Sequence, residues 1–144
     1  WVILGDCEIQ EGQVWEAFFV AARFGLGNLT AILDYNKLPQ FGWPSEEGYD
    51  RNRPIDDPAA KFAAFGWATA ECDGHDHDAL RAAFDQAEAA TDQPVVVIAN
   101  TVKGKGVSFM EAKHAWHARV PTQTELDAAV TELARPALAG VGPA

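Results

Sequence analysis

Only two cysteines occur in 144 residues, Cys7 and Cys72, and neither belongs to a CxxC pair or a His/Cys cluster of zinc spacing. This excludes a disulfide scaffold and a structural zinc site, and predicts reduced thiols in a cytoplasmic setting. Positive charge is scarce too: 11 Lys and Arg against 21 Asp and Glu leave a formal net charge of −10. Phosphate backbones and anionic lipids select basic surfaces, so no nucleic-acid or membrane partner is expected. No apolar run approaches the roughly 20 residues of a bilayer-spanning helix, and no basic-then-apolar leader opens the sequence. Met110 is the only methionine and Trp1 already reads as inside a strand, which predicts further sequence upstream.

What is there suffices for one core, with 48% hydrophobic residues in a chain of single-domain length. One domain is expected over residues 1–134, followed by a frayed Pro/Gly/Ala tail over 135–144. Residues 1–4 and 29–33 read as buried strands, joined by a helix over 11–24 that is apolar nearly all round. Such a helix is expected to pack the sheet with one side and another chain or domain with the other. Gly25 and Gly27 end it.

Residues 37–57 carry three prolines and no sustained period, and read as a long ordered loop. Asp57-Pro58 opens a short helix that Gly66 closes, residues 67–72 form a third strand, and Asp78 is expected to cap the next helix. The run 94–99, PVVVIA, is a strand buried on both faces, leaving through a Gly/Lys loop. Thr122 and Glu125 form a capping-box pair ahead of a stripe, Leu126, Ala129, Val130 and Leu133, expected to dock. Strands alternating with helices give an α/β fold: a parallel sheet with helices on both faces, incomplete at its N-terminus.

If the helix over 11–24 crosses back over the sheet, Asp6 and Asn36 emerge at the same carboxyl edge, where open parallel sheets bind ligands. An ionised carboxylate, an amide oxygen and a helix amino end suit Mg²⁺ with an anion beside it. An aspartate at a strand end also serves as an ordinary helix cap.

Gly5-Asp6-Cys7-Glu8, Gln10-Glu11-Gly12-Gln13, Trp15-Glu16-Ala17 and Asp34-Tyr35-Asn36 resemble the thiamine-diphosphate signature of transketolases, a GDG turn followed about thirty residues later by Asn. Asp73-Gly74-His75-Asp76, the loop from Lys103 to Val107, Phe109-Met110-Glu111 and His114-Ala115-Trp116-His117 resemble later parts of the same domain. The likeness is strongest to the amino-terminal subunit of split, two-gene transketolases.

The resemblance implies thiamine diphosphate and Mg²⁺ as cofactors, with Asp6, Asn36 and the main-chain carbonyl of Leu38 as metal ligands. It places Gly5, Cys7 and Glu8 at the diphosphate, Glu11 in a subunit-interface carboxylate network, and His117 at the diphosphate near the reacting centre. His117 also admits a bland reading, a histidine capping a surface loop. The implied activity is transfer of a two-carbon ketol unit between sugar phosphates. It requires a pyrimidine-binding partner subunit in a dimer or heterotetramer, since the glutamate that activates the cofactor belongs to that domain.

Alternatives are 1-deoxyxylulose-phosphate synthase, a 2-oxoacid dehydrogenase α-subunit, or a non-catalytic assembly module. Cys7 departs from the family by replacing the second glycine of GDG, where close approach and positive φ are expected. Ala118 replaces the glycine usual after His117.

Overall fold

The computed structural model describes residues 1–38, 43–45, 48–50 and 56–134, so the expected tail lies outside the described residues. They fall into two compact units, one over Trp1–Thr101 and one formed by the described residues from Val102 onward.

In the first unit, β1 (Val2–Gly5) leads through a 3-10 turn (Glu8–Gln10) into α1 (Gly12–Arg23) and β2 (Thr30–Tyr35). A small hairpin, β3 (Trp43–Ser45) antiparallel to β4 (Gly48–Asp50), precedes α2 (Pro58–Ala64) and β5 (Ala68–Asp73). Then come α3 (His77–Ala89) and β6 (Val95–Asn100). The four long strands form one parallel sheet in the order β1-β2-β6-β5.

Alternation along the inner strands assigns the two faces. Ala31, Leu33, Tyr35, Val96 and Ile98 pack with Phe18 and Ala21 of α1 and Phe62 of α2. Val95, Val97 and Ala70 pack instead with Ala83 and Ala87 of α3. Helices therefore cover both faces, which is why the 94–99 run has no polar alternation.

The α1/α2 side is built on aromatics. Trp15 stacks on Phe62 at 5.2 Å, Phe18 meets Phe62 edge-on at 4.9 Å, and the Trp67 indole N–H donates to the Phe18 carbonyl at 2.9 Å. α1 ends as its glycines predict. Gly25 adopts φ +58, and the Leu26 and Gly25 N–H groups donate to the Ala21 and Ala22 carbonyls, both at 3.1 Å.

Several expectations are corrected. β1 is an edge strand of this sheet rather than a buried one, with Ile3 72% exposed. β2 runs on through Asp34 and Tyr35, because β6 keeps pairing to Asn100. The 37–57 stretch contains the β3/β4 hairpin, although residues 39–42, 46–47 and 51–55 lie outside the described residues. The cap of α3 is Asp76, whose carboxylate accepts from the Asp78 and Ala79 N–H groups at 2.9 and 3.1 Å. Asp78 falls in the first turn, where its charge suits the helix dipole.

The second unit holds a second 3-10 helix (His114–His117) and α4 (Gln123–Leu133). Thr122 and Glu125 form the reciprocal capping box at the start of α4. Of the expected docking stripe only Ala129 is buried; Leu126, Val130 and Leu133 are exposed.

Glu125 also pairs with Arg119, which lies over the Trp116 ring at 4.3 Å. The Thr122 hydrogen bonds, more than Arg119, hold the Glu125 carboxyl below its ordinary value of 4.5. A depressed carboxylate adds stability above the unfolded-state pKa and loses it as pH falls through the folded value. Glu125→Gln keeps the cap geometry and drops the charge. Its stability deficit, followed by thermal unfolding, is expected to be full at neutral pH and to close as pH falls below that ordinary value.

Candidate diphosphate and metal site

Parallel pairing of β1 with β2 sets Gly5 opposite Asp34, so the chain leaves both strands at one edge. Asp6, the first residue beyond β1, is 3% exposed. Its Oδ2 accepts a hydrogen bond from the Lys37 main-chain N–H at 2.7 Å. Beside it the Asn36 Oδ1 accepts from the Leu38 N–H at 3.1 Å, a side-chain turn two residues long. Between them Lys37 adopts φ +63. The edge is further laced by the Thr101 hydroxyl donating to Asp34 Oδ1 and by the Gly74 N–H donating to the Asn100 carbonyl at 2.8 Å. A Cβ on Gly74 would meet Thr101 Cγ2 at 2.5 Å, so this crossing needs glycine.

Asp6, Asn36 and Leu38, expected as metal ligands, are thus brought to one place. Among the described residues no three His, Cys, Asp or Glu side chains gather as a metal site. The expected donor set contains just one such side chain, Asp6, with an amide and a main-chain carbonyl oxygen. Hard oxygens in small number, one of them a buried carboxylate, fit Mg²⁺, which keeps water and phosphate oxygens in its remaining positions.

The turn after β1 differs from expectation at Cys7, which has φ −78 and ψ −31. This is ordinary right-handed backbone open to any residue, so the position does not require the positive φ that glycine supplies. The Glu8 carboxylate accepts from the Gly5 N–H at 2.7 Å, folding back over the strand end. The 3-10 turn separates this corner from α1, making Glu11 the residue before the helix; it is exposed and its side chain makes no capping bond.

His117 lies in the second unit, its ring nearly parallel to that of His114 at 6.3 Å between centroids. In the first unit, burial and then the neighbouring carboxylates of Asp73, Glu71 and Asp76 push the Cys72 thiol up, so it stays protonated at neutral pH. Neither cysteine is in a disulfide.

Two features of the corner are not foreseen from sequence. The Lys37 N–H to Asp6 bond joins residues 31 apart and has no local signature. Glu8 bonding back to Gly5 depends on a 3-10 turn that apolar periodicity does not reveal.

The family described as transketolase, thiamine diphosphate binding domain, matches residues 1–135. The chain belongs to this family. Among its transketolase relatives is a 6-deoxy-6-sulfo-D-fructose transketolase subunit from Clostridium sp. (strain MSTE9), 41% identical over 92% of this chain and 46% of the relative. A subunit of the apulose-4-phosphate transketolase of Actinobacillus succinogenes is 40% identical over the same shares. The crystal structure of Campylobacter jejuni transketolase superposes with a TM-score of 0.79 at 27% identity, covering 90% of this chain and 20% of that one. The chain therefore spans a little under half the length of the subunit-type transketolases it matches. The α/β fold and the split-subunit resemblance read from the motifs agree with these relatives. No helix among the described residues is long and apolar enough to cross a membrane.

Proposed function

We propose that this chain is the diphosphate-holding part of a transketolase-type transferase, moving a two-carbon ketol unit between sugar phosphates together with a pyrimidine-domain partner. The observation that carries the reading is the buried Asp6 carboxylate, bonded to the Lys37 N–H beside Asn36 in a thiamine-diphosphate-binding family. Asp6, Asn36 and the Leu38 carbonyl would hold Mg²⁺. The backbone of Gly5 and Cys7 would face the diphosphate, and the Glu8 carboxylate would yield the Gly5 N–H to it. Glu11, exposed at the start of α1, is assigned to the interface with the partner. His117 is assigned to the diphosphate near the reacting centre.

Thiamine diphosphate, when bound, supplies the carbanion chemistry; the protein positions it and excludes water. The Asp34-Tyr35-Asn36 form of the second strand end favours a transketolase over a 2-oxoacid dehydrogenase, whose members typically carry paired asparagines there.

The test is calorimetry of the full chain with thiamine diphosphate, with and without Mg²⁺, alone and mixed with a pyrimidine-domain subunit. Binding that requires the metal, and ketol transfer only in the mixture, is expected. Absence of binding in every arm overturns the reading.

A further inference from the structure

We infer that Lys37 is the positioning residue of this corner: its ammonium, seated on the Tyr35 ring, holds the left-handed turn that sets Leu38 beside Asp6 and Asn36. The inference rests on the metal-clamp reading for what the turn is for, though not for whether the turn is held.

Three observations meet at this residue. Lys37 has φ +63, a region that L-residues other than Asn and Asp seldom enter. Its N–H donates to Asp6 Oδ2 at 2.7 Å, a hydrogen bond that ties the exit of β1 to the exit of β2. Its Nζ lies 5.1 Å from the centroid of the Tyr35 ring, within the range of a cation–π contact.

The geometry makes the turn and the seat dependent on one another. A residue with ordinary negative φ at position 37 would swing its Cβ about the N–Cα bond and carry the side chain off the Tyr35 ring. It would also redirect the chain leading to Leu38, whose N–H closes on Asn36. Glycine would adopt the turn at no steric cost, but lysine does not, so something must offset the cost. Tyr35 is 5% exposed and fixed in the core below the sheet edge, which makes its ring a rigid seat. A lysine anchored there by its far end has its backbone conformation selected by its side chain. The residue thus serves the site through Leu38, and no contact between its ammonium and the cofactor is needed.

Amide hydrogen exchange of the full chain, measured by NMR without metal or cofactor, reads the turn directly. In Lys37→Ala the left-handed cost stays and the seat is lost, so the Leu38 amide, which the turn closes on Asn36, is expected to exchange about fivefold faster or more. Lys37→Arg keeps a cation over the ring and is expected within about twofold of wild type. Lys37→Gly loses the seat and also the steric cost, and is expected to be better protected than Lys37→Ala.

Metal-dependent thiamine diphosphate affinity, measured by calorimetry, should follow the same order. Unchanged exchange in Lys37→Ala, exchange in Lys37→Arg as fast as in Lys37→Ala, or no gain in Lys37→Gly each overturns the inference. If wild type binds no cofactor while the exchange order holds, the clamp reading fails and the turn assignment stands.

Discussion

Asp6→Asn is expected to abolish metal-dependent binding of thiamine diphosphate while leaving the fold intact. Asparagine has the same shape, and its amide oxygen still accepts from the Lys37 N–H that now bonds to the carboxylate. What goes is the charge. Asn36 and the Leu38 carbonyl are neutral, so Asp6 brings the only formal negative charge the protein contributes to the proposed donor set. Mg²⁺ gives up water reluctantly and binds through one or two carboxylates plus substrate phosphates. Losing the sole carboxylate should therefore exceed the roughly 10–100-fold that changes behind a metal's direct ligands cost. Calorimetry with and without Mg²⁺ gives the affinity, and circular dichroism checks the fold. An Asp6→Asn protein that binds as wild type does would remove Asp6 from the metal site. Asp6→Ala is the harsher variant, because it also takes the acceptor from the Lys37 N–H.

The placement of Asp6 and Asn36 is legible in the sequence because it follows from topology. Two apolar runs around a crossing helix must be parallel, and parallel strands end together. The β6 run and the capping box at Thr122 and Glu125 are legible for similar reasons, since burial on both faces and reciprocal capping each leave a composition that little else produces.

The misses share a cause as well. Asp78 looks like a cap as much as Asp76 does, and only the backbone, extended at Asp76, decides between them. Ile3 reads as core by its chemistry, yet it lies on an edge strand, and strand order is not written in composition. The turn at Lys37 is invisible in sequence because a lysine at positive φ violates local preference, and its N–H bonds to a residue 31 positions away. Cys7 misleads in the opposite direction: the motif suggests that glycine freedom is needed, whereas the backbone there is ordinary.

Phe24→Lys is expected to block assembly with the pyrimidine-domain partner, and with it ketol transfer, without weakening the chain itself. α1 buries Phe18 and Ala21 against the sheet, while Phe19, Val20 and Phe24 on and after it are 61%, 48% and 73% exposed. Leu26, just past the helix, adds to the patch at 39%. Exposed apolar groups on one short stretch like this mark interaction surfaces.

Lysine suits the variant because position 24 is the C-cap of α1, where a cation complements the helix dipole; lost assembly would then not reflect a lost helix. At the centre of an apolar interface the same ammonium must be desolvated with no counter-charge, which costs about 2 kcal/mol or more and weakens association roughly thirtyfold or beyond. Analytical ultracentrifugation of the mixed subunits should show dissociation, and thermal unfolding of the chain alone should be unchanged. A charge reversal on the polar face of α3, Arg81→Asp, is the control and should assemble normally, since Arg81 is exposed away from the α1 patch. If Phe24→Lys assembles and turns over like the control, the apolar side of α1 is not where the partner docks.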